Sequence, residues 1–218
     1  ALAKHADTIN YEISQPDESQ WPELRKHFVE SLKCDAETVD HLKKQGQIHA
    51  NNRGHLVTNL PYQPGELASK PAGQIIQDIH SQESGFYVQY GNGGLISIES
   101  AEKAETVVVD DILEALALDV HQSHTGIRKN IIVVGRKPKP RIISLLAAMA
   151  KATTLFVSAA RTEIGMRFVQ CMRNAIPSIN EMSPPKDWVS WSRYICESQQ
   201  PQQQKPIPTE DINDPGPD

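Results

Sequence analysis

Residues 105–165 read ETVVVDDILEALALDVHQSHTGIRKNIIVVGRKPKPRIISLLAAMAKATTLFVSAARTEIG, and three short β-branched runs in them alternate with segments of helical period. Thr106–Val109 (TVVV), Asn130–Gly135 (with IIVV) and Thr154–Ser158 (with LFVS) are apolar without alternation, as strands buried on both faces are. Between them, Asp111–Leu118 and Pro140–Lys151 repeat apolar residues at helical spacing, the second along Ile142, Leu145, Leu146 and Met149. After the third run, Ile164, Phe168, Cys171 and Ala175 mark a further helix. The order β-α-β-α-β-α predicts an α/β fold with a central, mainly parallel sheet flanked by helices.

Upstream, Trp21–Leu32 predicts a helix, with Pro22 in the tolerated first turn and Leu24, Phe28 and Leu32 on one side. A second helix is expected from the cap Asp35 to Gly46, with Glu37 in its first turn and Lys43 and Lys44 in its last. Gln47–Ala50 and His55–Leu60 flank the turn Asn51-Asn52-Arg53-Gly54 and read as a hairpin. Strands are expected at Gly85–Tyr90 and Gly94–Ile98, with Gly91-Asn92-Gly93-Gly94 as a hairpin turn between them. Residues 61–84 read as a long loop with some helix near Ile75–Ile79. The expected division is an arm or linker over 1–20, a small N-terminal helical and hairpin (α+β) module over 21–83, the α/β domain over 84–196, and a disordered Pro/Gln-rich acidic tail over 197–218.

With 39% apolar and 22% charged residues the chain has the composition of a globular protein, and no apolar run approaches a membrane span, so no membrane insertion is expected. No secretory signal is visible, and a cytoplasmic, bacterial protein is expected. Cys34, Cys171 and Cys196 are odd in number and share no metal-ligand spacing, so free thiols are expected. The chain starts at Ala1 and is read as a piece of a larger parent chain. Six basic residues, Arg128, Lys129, Arg136, Lys137, Lys139 and Arg141, fall in a stretch without an acid and are the candidate nucleic-acid contacts; a solvated face is the plainer reading.

In an open parallel sheet ligands collect beyond the carboxyl ends of the strands. The residues to inspect are Asp110 and Asp111, Gly135–Lys139, and Ser158–Gly165. Asp110 and Asp111 also suit a helix start, and Glu163 a helix first turn. Gly165 suits close packing or a turn. His121 and His124 lie near a loop after a helix, three apart, a spacing too common to indicate a metal. Trp188 and Trp191 read as core or helix-docking aromatics ahead of a base-stacking platform. Nothing matches a nucleophile elbow, a phosphate loop or a dinucleotide fingerprint.

The segment AETVDHLKKQGQIHANNRGHLVTNL (36–60), followed by SGFYVQY (84–90), TVVVDDILEALAL (106–118), TLFVSAARTEIG (154–165) and PPKDWVSWSRYI (184–195), resembles the Toprim domains of plasmid mobilisation relaxases and primases with the helical and hairpin module that precedes them. The resemblance spans about residues 20–196. It implies a Toprim-like Rossmannoid domain that holds Mg²⁺ for phosphoryl transfer or strand cleavage through a first acid and a later Asp-x-Asp. Here the first position is Asp110, in place of the usual Glu, and the Asp-x-Asp positions are Ala160 and Thr162. Arg161 is expected to bring a positive charge where a cation would sit. The resemblance therefore implies a degenerate site with no catalytic residues, no metal and no cofactor.

The leading expectation is a non-catalytic module of a conjugation or mobilisation protein, the carboxyl-terminal part of a relaxase, that docks DNA, the relaxosome or secretion-channel proteins. The enzyme alternative is a primase-like or nuclease-like Toprim that uses Mg²⁺ on relocated acids, Asp110, Asp111, Glu114 and Glu163. A plain nucleic-acid-binding domain is the third reading.

Overall fold

The computed structural model describes residues 13–61, 71–79, 87–91, 93–99 and 105–198. The expected tail beyond Ser198 and the first twelve residues of the expected arm lie outside them. The chain opens with α1 (Trp21–Lys26), whose last turn widens into a π-helical turn over His27–Ser31, and α2 (Ala36–Lys44). Leu24, Phe28 and Leu32, the predicted stripe, are buried, and the Asp35 carboxylate accepts the Thr38 amide as the cap of α2.

An antiparallel sheet follows in the order β1 (Ile48–Ala50), β2 (Leu56–Leu60), β3 (Gly73–Gln77), β4 (Tyr87–Gly91). The hairpin expected at 47–60 forms, with Asn51 Oδ1 accepting the Arg53 and His55 amides across the turn. The helix expected near Ile75–Ile79 is instead β3, a central strand registered with β2 (Thr58 to Ile75) and β4 (Ile75 to Gln89). Its pairing partners lie far along the chain, and Gly73 permits it: a Cβ there would stand 2.7 Å from the Tyr90 carbonyl oxygen. The boundary expected at 83/84 falls ahead of β4, which pairs with β3.

The second sheet has the order β5 (Ile96–Ile98), β7 (Asn130–Val133), β6 (Thr106–Val109), β8 (Leu155–Ser158), β9 (Asn180–Glu181). β6, β7, β8 and β9 are parallel and β5 is antiparallel. The predicted α/β architecture, a mainly parallel sheet with helices on both faces, is present. The glycines at 91–94 are not a hairpin turn, because β4 and β5 belong to different sheets and the segment carries the chain from one to the other. At Gly94 a Cβ would lie 2.1 Å from the Pro61 carbonyl oxygen, so the crossing needs the bare backbone.

α3 (Ile112–Thr125) extends well past Leu118 and ends at Gly126 in the left-handed region, φ 72°. His121 and His124 therefore ride on its last turns, not on a loop. α4 (Pro140–Met149) and α5 (Glu163–Ala175) cover the opposite face. The buried stripe of α5 is Gly165, Phe168, Val169 and Met172; Ile164 and Cys171, expected inside, are exposed. Leu145 of α4 is likewise exposed. In both helices the apolar spacing fits more than one rotation about the axis, and packing on the sheet selects between them. α6 (Trp191–Ser198) returns to pack on α3.

Two hydrophobic cores result. One joins α1, α2, α3 and α6 to the inner face of the first sheet and to Val107, Val109, Ile131 and Val133. The other joins α4 and α5 to Val108, Ile132, Val134 and Val157. Among the described residues no helix is long and apolar enough to cross a membrane.

Candidate functional site

β6 is central in the parallel sheet, and its loop leads to α3 on one face. The loops after its neighbours β7 and β8 lead to α4 and α5 on the other. Flanking connections that diverge in this way open a crevice at the carboxyl end of β6. Val109 registers with Val133 and Ser158, so Asp110, Gly135 and Ala160 emerge close beyond three adjacent strand ends. The fold thus brings Asp110 and Ala160 to one end of the sheet.

Asp110 and Asp111 are both buried. Asp111 caps α3, its Oδ1 accepting the Glu114 amide at 3.0 Å, the helix-start role open in the sequence. Facing them is Arg136, from the loop after β7: Nε is 3.5 Å from Asp110 Oδ2, and Nη2 is 3.6 Å from Asp111 Oδ2. The guanidinium lies over the Tyr87 ring with its carbon 3.7 Å from the centroid, a stacked cation geometry. Tyr87 Oη accepts the Arg136 amide at 3.2 Å. Gln89 brackets the Lys137 peptide, accepting its N–H at 3.1 Å and donating to its carbonyl at 3.3 Å. Gly135, at φ 80°, lets the loop run against Gln89: a Cβ there would be 2.6 Å from Nε2.

The charge balance remains strained. Asp110 Oδ1 and Arg136 Nε are buried without a hydrogen-bond partner among the described residues. Burial drives the Asp110 carboxyl well above the usual carboxylate range; negative Asp111 and Glu114 add to this, and Arg136 opposes it. Glu114 is pushed up to about 7, by burial first and by Asp111 second. Its carboxylate holds the start of α6, accepting the amides of Trp191 (3.0 Å) and Ser192 (3.3 Å) and the Ser192 hydroxyl (2.7 Å). Trp191 Nε1 then donates to Ser158 Oγ at the end of β8, at 3.0 Å. Trp191 is a buried helix-docking aromatic.

The positions beyond β8 are structural. Thr162 Oγ1 caps α5 by accepting the Gly165 amide at 3.1 Å. A Cβ on Gly165 would fall 2.0 Å from the Ala160 carbonyl oxygen, which accounts for the glycine by close packing. Arg161 does not approach the acids: its guanidinium donates to the carbonyls of Pro184, Pro185, Lys186 and Trp188 and ties down the loop before α6. The positive charge at the acidic corner comes from Arg136. Glu163 is exposed and pairs with Arg167 at 2.5 Å, apart from Asp110, Asp111 and Glu114.

These donors do not fit Mg²⁺. Ala160 offers no oxygen from its side chain, Thr162 is committed to a helix cap, Glu114 to α6, and a guanidinium faces the two aspartates. Among the described residues no three His, Cys, Asp or Glu gather as a metal-holding set.

The six basic candidates split between the two ends of β7. Arg128 and Lys129 precede the strand and pair with Asp119 and Glu105, Lys129 also lying over the Phe156 ring. Arg136, Lys137, Lys139 and Arg141 follow it, beyond the other end of a strand about 13 Å long at ~3.3 Å per residue. Lys137, Lys139 and Arg141 are exposed. Sequence reasoning marked Ser158 only as a strand-end position and missed Tyr87, Gln89 and Ser192. No local signal marks them, since each acts on a residue more than thirty positions away.

No protein-family model matches the chain, and no curated protein matches it. Among solved structures it is similar to the primase fragment of the bacteriophage T7 primase-helicase protein, at 12% identity over 77% of this chain and 71% of that one, TM-score 0.45. It is also similar to a chain in the structure of bacteriophage T7 lagging-strand DNA polymerase interacting with primase domains of two gp4 subunits bound to an RNA/DNA hybrid and dTTP, at 14% identity over 72% of this chain and 79% of that one, TM-score 0.40. Likeness at this level transfers no residue role.

Proposed function

We propose that this chain is a non-catalytic, nucleic-acid-docking module on a Toprim-like frame, whose acidic corner serves structure instead of chemistry. The observation that carries the reading is the Arg136 guanidinium set against Asp110 and Asp111, with Glu114 spent on anchoring α6. A fixed internal cation and a dedicated anchor leave no open coordination position for a reacting phosphate. Lys137, Lys139 and Arg141 on the loop and first turn after β7 are the candidate phosphate contacts. The parent protein in this reading is a plasmid mobilisation relaxase, in which the module docks DNA, the relaxosome or secretion-channel proteins; the segments 36–60 and 184–195 support it by their resemblance.

A gel shift over a series of salt concentrations tests the docking. Neutralising Lys137, Lys139 and Arg141 together is expected to weaken binding about tenfold or more and to lower the salt slope by ~2–3, whereas neutralising Arg128 and Lys129 leaves both nearly unchanged. Equal losses from the two sets would remove the proposed surface. Calorimetry addresses the enzyme alternative: saturable Mn²⁺ binding by the wild-type chain, abolished by Asp110→Asn, would overturn the non-catalytic reading.

A further inference from the structure

The outer face of the first sheet is built for a purpose that packing alone does not explain. Asn59 and Gln74 are directly opposed across β2 and β3, and His49 lies beside them on β1; all three are buried, Gln74 fully so. Buried amides and imidazoles are costly unless bonded, and a plain core would carry apolar residues in their place. Here Gln74 and His49 converge on the main chain of one residue, Ser14, and Asn59 bonds to both of them from behind. The Gln74 carboxamide accepts the Ser14 amide at 2.9 Å and reaches the Ser14 carbonyl at 3.3 Å, matching a peptide group at two points. Gln74 also donates to Asn59 Oδ1 at 2.7 Å, which leaves Asn59 Nδ2 to face Gly46 O (2.7 Å) and His49 Nδ1 (3.4 Å). His49 Nε2 is then the N–H that donates to Ser14 O, at 3.1 Å.

The described segment around Ser14, within the arm or linker expected over 1–20, is thus held by its backbone. Gln47 O accepts the Asn59 amide and the Asn51 amide donates to His55 O, so Ile48 and Ala50 turn their peptide groups to the outer edge of the sheet, where Ala50 O accepts the Asp17 amide at 2.8 Å. Beside this edge lies a cleft of about 480 Å³ whose lining includes Ser14, Lys43, Lys44, Ile48, His49 and Gln74. The charges there are complementary: Glu18 pairs with Lys43 at 2.5 Å, and the exposed Lys44 follows it.

We propose that this cleft is a docking site for an extended, acidic segment of a partner protein, and that Ile13–Glu18 is the resident segment it displaces. Main-chain recognition by Gln74 and His49 tolerates many sequences, the Ile48–Ala50 edge admits a strand, and Lys43 with Lys44 selects acids about four residues beyond the clamped peptide. The site is remote in sequence from the acidic corner after β6 and is independent of the reading given to it.

The probe is a fluorescein-labelled peptide of residues 13–20, followed by anisotropy with the full chain. Ser14→Pro deletes the N–H that Gln74 accepts and is expected to bind the peptide at least ~10-fold more tightly than wild type, whose tethered arm competes at millimolar effective concentration. Lys43→Glu in that background, or a peptide with Asp17 and Glu18 replaced by Asn and Gln, is expected to lower affinity at least fivefold. A Ser14→Pro chain that keeps the wild-type circular dichroism but shows no saturable binding overturns the proposal, as does binding indifferent to Lys43→Glu. If Ser14→Pro fails to fold, titration of wild type into the millimolar range decides in the same way: saturation that Lys43→Glu weakens supports the site, and its absence overturns it.

Discussion

Glu114 is a buried carboxyl that anchors a helix through three hydrogen bonds, and its folded-state pKa of about 7 lies above the 4.5 of a free glutamate. The sign follows from that order. Between pH 4.5 and 7 the folded chain keeps a proton that the unfolded chain has released, so this group's stabilisation is full below 4.5 and is lost as pH rises through 7. The swing is on the order of 3 kcal/mol. His49 and His121, whose pKa values burial lowers, act in the opposite sense, so the effect is read as a difference. Urea unfolding at pH 5 and pH 8 should show that Glu114→Gln is markedly less sensitive to this change than wild type. An equal pH response in both would show that Glu114 does not carry the linkage. Arg136 calls for a separate measurement: Arg136→Met leaves two buried aspartates without their cation and should cost about 2–3 kcal/mol. Adding Asp110→Asn to Arg136→Met should recover part of that loss, and strict additivity in the cycle would sink the assignment of Arg136 as counterion.

At the scale of elements, α5 shows how a helix start can stand where the resemblance implies ligands. Thr162 caps it and Gly165 meets the Ala160 carbonyl, so both respond as structural residues. Thr162→Ala should cost about 1 kcal/mol, and Gly165→Ala, whose methyl must displace backbone, about 2–3 kcal/mol, by chemical denaturation. A Gly165→Ala chain as stable as wild type would refute the close approach. The parallel strands were readable because burial on both faces leaves uninterrupted β-branched runs, TVVV, IIVV and LFVS. β3 was not: GQIIQ carries two apolar residues among polar ones, and only pairing with β2 and β4 makes it a strand. For α4 and α5 the sequence showed that helices form but not which residues face inward, and Leu145 and Ile164 turned out exposed.

For the whole molecule, one core runs from Trp21 and Phe28 through Ile75 to Val107 and Ile131, so the two sheets share their apolar interior. They should unfold together: near-ultraviolet signals from Trp21 and Trp191 and the far-ultraviolet backbone signal are expected to give coincident transitions. Two separated transitions would show that the first sheet folds independently. What the sequence by itself determined is the local part: the α/β alternation, the caps Asp35 and Asp111, and the placing of Asp110, Ala160 and Thr162 just after buried runs. These follow from period, burial and capping chemistry, which act over a few residues. Only the tertiary structure decided which cation meets the acids. Arg161 stood nearer in the motif, yet its guanidinium satisfies four loop carbonyls, while Arg136 reaches Asp110 and Asp111 because β6 and β7 are adjacent and Tyr87, from the other sheet, supplies the ring beneath it. Such long-range pairings depend on how elements pack, and no window of sequence contains both partners.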